Sequence, residues 1–152
     1  MTHSRNLTYT LHKLSFLLDK LADRALQGEL DLSFSQFRVL IAINRNSEVT
    51  QKKIACFWDM TQAAVSRQIE LLIEKKLVAM HDNVRNRREH HLSLTAQGKD
   101  VLEKAYSLLD SQYEPIFKVI SQDDRAVFED IVHRLLGELC ENGRDFCCDP
   151  KK

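Results

Sequence analysis

Four glycines and two prolines are spread through 152 residues, and that scarcity constrains the fold more than any other feature of the chain. Glycine and proline break helices and build tight turns, so a chain this poor in both is expected to run in long helices joined by few turns. The expected class is mainly α. No apolar run approaches the length of a membrane span, and no charged segment leads into an apolar one. Neither a membrane partner nor a secretory leader is therefore expected, and a cytoplasmic protein is the reading that follows.

Periodicity divides the chain into elements. Leu7, Leu11, Leu14, Leu17, Leu18, Leu21, Ala25 and Leu26 recur at three- and four-residue spacing, which predicts an amphipathic helix ending near Gly28. After a loop from Glu29 to Phe34, Ser35 is the expected cap of a second helix that turns Phe37, Leu40, Ile41 and Ile43 inward and ends at Asn46 and Ser47. Thr50 is placed to cap a short third helix burying Ile54 and Ala55, with Trp58 a further candidate for burial. Asp59 and Met60 then form a turn, and Thr61 caps a fourth helix whose core face carries Val65, Ile69, Leu72 and Ile73.

Two β-compatible segments follow, Leu77 to Asp82 and Glu89 to Thr95, and the link between them holds Arg85, Arg87 and Arg88. This predicts a hairpin with a basic tip. Thr95 should cap a long helix that Pro115 kinks or ends near Tyr113. Ser121 to Asp124 resembles a capping box opening a last helix with Val127, Phe128, Ile131, Leu135, Leu136 and Leu139 on one stripe. Only the ends, residues 1 to 6 and 144 to 152, are expected to lack structure.

The net charge is zero, which by itself does not favour a nucleic-acid partner. Its distribution does. Residues 51 to 91 hold eight basic against five acidic side chains, whereas residues 101 to 152 hold seven against eleven. A basic middle can meet phosphates while the acidic end faces elsewhere.

A short helix, a tight turn, a second helix and a basic hairpin make a winged helix-turn-helix. In that arrangement the first helix braces the second across the DNA backbone, leaving the second helix's N-terminal side chains against base edges in the major groove. The brace here is Thr50 to Trp58 and the reader is Thr61 to Lys76. Gln62, Ala63, Ser66 and Arg67 are the groups base readout needs: an amide for adenine, a small apolar group for a thymine methyl, a hydroxyl, and a guanidinium for guanine or phosphate. A solvated amphipathic helix could carry the same side chains, and the hairpin decides between the two. Arg85, Arg87 and Arg88 cannot all be satisfied by Glu89, and next to a helix-turn-helix they are placed for phosphates and a narrow minor groove.

These segments, Leu32-Ser-Phe-Ser-Gln-Phe-Arg-Val-Leu40, Thr50-Gln51, Val65-Ser-Arg67, Leu77-Val78 and Leu94-Thr-Ala-Gln-Gly98, resemble the MarR family of transcription regulators in order and spacing over residues 7 to 139. The resemblance implies a winged helix-turn-helix core at 33–99, dimerisation helices at 5–32 and 100–142, and a tail at 143–152. It implies base or backbone contacts for Gln62, Ser66 and Arg67, phosphate contacts near Gln51 and Lys52, and minor-groove contacts for Arg87 or Arg88. It further implies a homodimer on double-stranded DNA, acting as a repressor at a pseudo-palindromic operator with half-sites about one helical turn, ~34 to 36 Å, apart. A small aromatic or phenolic effector between the dimer helices and the DNA-binding lobe belongs to the same implication. The dimer has support of its own, because the apolar stripes of the first and last helices exceed what a small monomeric domain can cover.

The chain departs from the family pattern at two places. Family wings commonly carry Asp-Arg-Arg where this one has Asn86-Arg87-Arg88, and the family favours glycine after the reader helix where this chain has Lys76. Peroxide-sensing relatives place a cysteine in the first helix, and this first helix has none. The four cysteines, Cys56, Cys140, Cys147 and Cys148, form no C-x-x-C pair and are too few for a disulfide framework. Cys56 is expected to be a small buried side chain. Neither Cys147-Cys148 nor the pair His133 and Cys140 supplies enough ligands for a zinc site, and His81, His90 and His91 read as strand residues, so no metal is expected.

No nucleophile with its base, no paired carboxylates and no phosphate-cradling loop appear, so neither an enzyme nor a cofactor is expected. Two alternatives to a ligand-controlled regulator remain open from sequence: a regulator switched by oxidation of its cysteines, and a winged-helix protein-interaction module that binds no DNA.

Overall fold

In the computed structural model, residues 2–46, 49–82 and 90–141 are described. The first helix, α1 (Thr2–Leu30), is longer than its apolar pattern predicts at both ends. It continues past Gly28, where a side chain would meet nothing, and stops at Asp31, which takes the left-handed conformation with φ 48°. Glycine in a helix interior costs about 1 kcal/mol and does not by itself end one.

Helix α2 (Phe34–Arg45) begins two residues before the expected place, because Ser33 and not Ser35 is its cap. Ser33 Oγ accepts from Gln36 N at 3.1 Å and Gln36 Oε1 accepts from Ser33 N at 3.0 Å, a complete capping box that Ser35, with Arg38 three residues on, cannot form. Asp23 of α1 adds a further acceptor, Oδ1 to the Phe34 amide at 2.8 Å, so the helix start is held from outside its own sequence. Phe37, Val39, Leu40, Ala42 and Ile43 are buried, while Ile41 is only half-buried.

Helices α3 (Gln51–Phe57) and α4 (Gln62–Glu74) are capped as expected, Thr50 accepting from Lys53 N and Thr61 from Ala64 N. Both end alike. Asp59 has φ 49° and Lys76 φ 59°. Met60 N donates to Ala55 O at 2.9 Å with Asp59 N to Cys56 O at 3.3 Å, and Leu77 N donates to Leu72 O at 2.9 Å with Lys76 N to Ile73 O at 2.8 Å. These are Schellman caps, which normally favour glycine at the left-handed position.

Strands β1 (Val78–Asp82) and β2 (His90–Leu94) pair antiparallel, with Val78 opposite Leu94 and His81 opposite His91. Val49 adds a bridge to Leu92 that no periodicity announces. Helix α5 (Ala96–Phe117) is capped by Thr95 and runs two residues beyond Pro115 before ending, later than expected. Its Thr95 Oγ1 also donates to the carbonyl of Lys76 at 2.7 Å, locking the end of α4 to the start of α5.

Helix α6 (Gln122–Glu141) opens with Ser121 Oγ accepting from Asp124 N at 3.1 Å; the Asp124 carboxylate accepts from the Ser121 hydroxyl at 2.7 Å. The core gathers Leu26, Leu32, Leu40, Ile54, Val65, Ile69, Leu72, Val78, Leu92 and Leu102, drawn among the described residues from every element except α6. Helix α1 lies along α5, and α2 packs on α3, α4 and β2. Among the described residues, no helix is long and apolar enough to cross a membrane.

Candidate nucleic-acid interface

The interface is built outward from α4. Val65, Ile69 and Leu72 are fully buried and fix which way the helix faces. Gln62, Ala63 and Arg67 then lie exposed on its first two turns, Ser66 is half-buried beside them, and Gln68 is half-buried toward the core. Ile73, expected on the core face, is instead 36% exposed. It lies eight residues from Val65, about 80° of net rotation at 100° per residue, which takes it off the buried stripe, and Leu71 is half-buried on the other edge.

Ser66 is not a free hydroxyl, since its Oγ donates to Glu70 Oε1 at 3.4 Å one turn on. Glu70 thereby joins the candidate surface through a contact that the spacing of polar residues does not announce. In an i, i+4 pair the carboxylate orients the hydroxyl and places a negative charge beside the reading surface. The helix N-terminus carries no acidic residue in its first turn, so the positive end of the dipole meets an approaching phosphate unopposed.

The brace α3 contributes Gln51, half-buried, and Lys52, exposed, at its first two positions, with exposed Lys53 beside them. Thus the fold brings Gln51, Lys52, Gln62, Ala63, Ser66 and Arg67 onto the N-terminal ends of two helices joined by a tight turn. Arg85, Arg87, Arg88 and Asn86 lie outside the described residues. The strands that carry that tip are anchored to the core through Leu92, fully buried, and His81 Nε2 lies 2.7 Å from Ser93 Oγ across the hairpin.

Comparison with known proteins bears on the family and the fold. A model of the MarR family matches residues 30–89. The HTH-type transcriptional regulator TcaR of Staphylococcus aureus is 31% identical over 120 residues, spanning 72% of this chain and 76% of that protein. The chain belongs to the MarR family. As a MarR-family transcription regulator it also shares the fold of the solved members. Apo MarR from E. coli superposes with a TM-score of 0.78 at 23% identity, covering 86% of this chain and 96% of that one. A cysteine-to-serine mutant of E. coli MarR complexed with operator DNA superposes at 0.74, again at 23% identity, covering 86% and 94%.

Two features of this MarR-family member differ from expectation or were not foreseen. Cys56 is exposed on α3 and disulfide-bonded, not a buried thiol; the inward positions of that seven-residue helix are taken by Ile54 and Ala55. Cys147 and Cys148 lie outside the described residues. Between α1 and α5 there is an open cleft of about 420 Å³, lined by Leu11, Leu14, Leu18, Asp19, Tyr113 and Phe117 among others. Burial, and secondarily the Asp19 charge, raises the Tyr113 phenol above its ordinary pKa. Among the described residues, no three His, Cys, Asp or Glu side chains converge as a metal group would require.

Proposed function

We propose that this MarR-family regulator represses transcription as a homodimer that reads a pseudo-palindromic operator with α4. The observation that carries this reading is the exposed run Gln62, Ala63 and Arg67 on the first turns of a helix whose opposite face is fully buried. An amide, a methyl and a guanidinium at one groove-sized surface match the donor, acceptor and methyl pattern of base edges. Ser66, Gln51 and Lys52 anchor the backbone beside them, and Arg85, Arg87 and Arg88 follow the adjacent phosphates and minor groove.

The dimer is supported by α1 and α6, whose apolar side chains stand in solvent in the single chain: Leu17 is 50% exposed, Leu135 51% and Leu136 53%. Residues 5–32 and 100–142 are the dimerisation helices in this reading, 33–99 the DNA-binding domain, and the cytoplasm the compartment. The cleft between α1 and α5 supports modulation by a small apolar or aromatic effector. Selection of bound fragments from random DNA tests the whole, since inverted half-sites about one helical turn apart are expected. Recovery of no consensus would overturn it.

A second reading concerns the signal. Exposure and disulfide bonding of Cys56 favour switching by thiol oxidation in place of a ligand. Operator binding measured on protein first reduced with a thiol reductant and again after peroxide, with a cysteine-free variant as control, separates the two.

A further inference from the structure

Helix α3 is seven residues long and buries only Ile54 and Ala55, too little apolar surface to fix its orientation alone. Its C-terminal end is held by a pair of residues 20 positions apart. The Trp58 indole Nε1 donates to the carbonyl of Arg38 at 2.9 Å, and Arg38 Nη2 donates back to the carbonyl of Trp58 at 3.2 Å. The guanidinium also lies over the indole ring, 4.2 Å from its centroid, and Phe57 meets the same ring edge-on at 4.7 Å. Two antiparallel hydrogen bonds and a stacked plane remove both sliding and rotation between α2 and the end of α3.

The position matters because Trp58 is the last residue before the turn. Its carbonyl sits at the negative end of α3, where a cation is favoured, and the next residue, Asp59, is the left-handed one that redirects the chain into α4. Packing alone does not explain the arginine. Its Nε is buried with no hydrogen-bond partner, and burial lowers the guanidinium's pKa against the opposing pull of Asp19. A methionine would fill the space without that penalty and a lysine would leave no Nε unpaired, but neither offers a planar fork that can stack and donate at once.

We propose that Arg38 and Trp58 are positioning residues for the reader helix: their clasp sets the α3-to-α4 turn, and base discrimination depends on it although neither residue is on the reading surface. The inference rests on the DNA-reading function above. Because the groups that read bases must be held in place by their supporting residues, loosening the clasp misaligns Gln62 and Arg67 while leaving the Arg67 charge and the phosphate contacts present. Discrimination is lost before affinity.

Trp58 is the single tryptophan of the chain, so its fluorescence reports the clasp directly. The test compares full-length wild type with Arg38→Lys, which keeps the charge, on a fragment selected by the wild type and on mixed genomic DNA, with circular dichroism and Trp58 emission recorded for both proteins. Expected for Arg38→Lys are unchanged helix content, emission shifted to longer wavelength, roughly tenfold weaker binding of the selected fragment, and less than about twofold change on mixed DNA. Discrimination equal to wild type overturns the proposal, and so does an equal loss on both DNAs. If Arg38→Lys does not fold, Trp58→Phe carries the test, because it keeps a smaller ring under the guanidinium and removes the indole donor; retained discrimination there overturns the clasp and lost discrimination supports it. Wild type that selects no fragment overturns the DNA-reading function itself, and the clasp's role with it.

Discussion

A methyl group on Gly98 would stand 2.0 Å from the carbonyl oxygen of Leu77. That carbonyl already accepts the Thr95 amide at 3.0 Å, and Gly98 N donates to Thr95 Oγ1 at 2.9 Å, so the first turn of α5 is pressed onto the chain leaving α4. The glycine of the Leu-Thr-Ala-Gln-Gly segment is there for close approach, not for a turn. Gly98→Ala would gain about 1 kcal/mol of helix propensity and is nonetheless expected to lose ~2 to 3 kcal/mol net, because backbone must move to admit the methyl. Thermal unfolding should show a midpoint lower by roughly 5 to 10 °C. A midpoint at or above wild type would refute this account of the contact.

Lys76 presents the opposite case. It occupies a left-handed Schellman position, φ 59°, with an exposed side chain. Lys76→Gly should therefore stabilise the protein by about 0.5 to 1 kcal/mol. Urea unfolding measures it, and destabilisation would show that the lysine charge at the end of α4 outweighs the backbone strain.

On the reading surface, Arg67→Ala is expected to weaken binding of the selected operator by about 1 to 3 kcal/mol. In the wing, Arg87→Ala should weaken binding on every sequence and reduce the salt slope by about one unit, whereas Asn86→Asp should change affinity modestly. Anisotropy titrations at several salt concentrations distinguish these. Unchanged binding by Arg87→Ala would remove the wing from the interface.

The stripe on α6 predicts the assembly. Phe128, Ile131 and Leu135 follow helical spacing and are 37%, 44% and 51% exposed, so a carboxylate at the middle of the stripe must be desolvated if a partner covers it. Ile131→Glu is expected to convert a dimer to a monomer in analytical ultracentrifugation at micromolar concentration, with operator affinity falling alongside. A wild-type monomer, or a variant of unchanged mass, would contradict the dimer.

Alkaline stability follows from two phenols. Burial raises the pKa of Tyr106, with Arg45 opposing and Glu103 assisting, and burial with the Asp19 charge raises that of Tyr113. The folded state thus holds these protons more tightly than the unfolded state does. The contribution is complete below about pH 10, the unfolded value, and is lost as pH rises through the higher folded values. Unfolding free energy should decline above pH 10, and replacing both with phenylalanine should flatten that decline.

Most elements could be located from residue types alone, because caps and periodicity are local. Thr50, Thr61 and Thr95 each accept the backbone amide three residues on. The start of α2 lies two residues before the one that residue type suggests, because two serines compete and Gln36 reaching back to Ser33 decides between them. Ile73 was assigned to the core by spacing, yet burial depends on how wide a stripe the neighbouring elements cover. Cys56 was read as buried from its residue type, although both inward positions of its short helix were already filled.

Scarcity of glycine and proline, the threonine caps and the β-compatible segments on either side of residues 83–89 were enough to determine a helical chain with a helix-turn-helix and a hairpin. These signals lie within a few residues of one another, where backbone hydrogen bonding and side-chain spacing suffice. What only the tertiary structure decided are relations between distant residues: Arg38 with Trp58, Gly98 with Leu77, Asp23 with the start of α2, and Val49 with Leu92. Each depends on where one helix lies against another, which is settled by burial of the whole core and leaves no local trace in the order of residues.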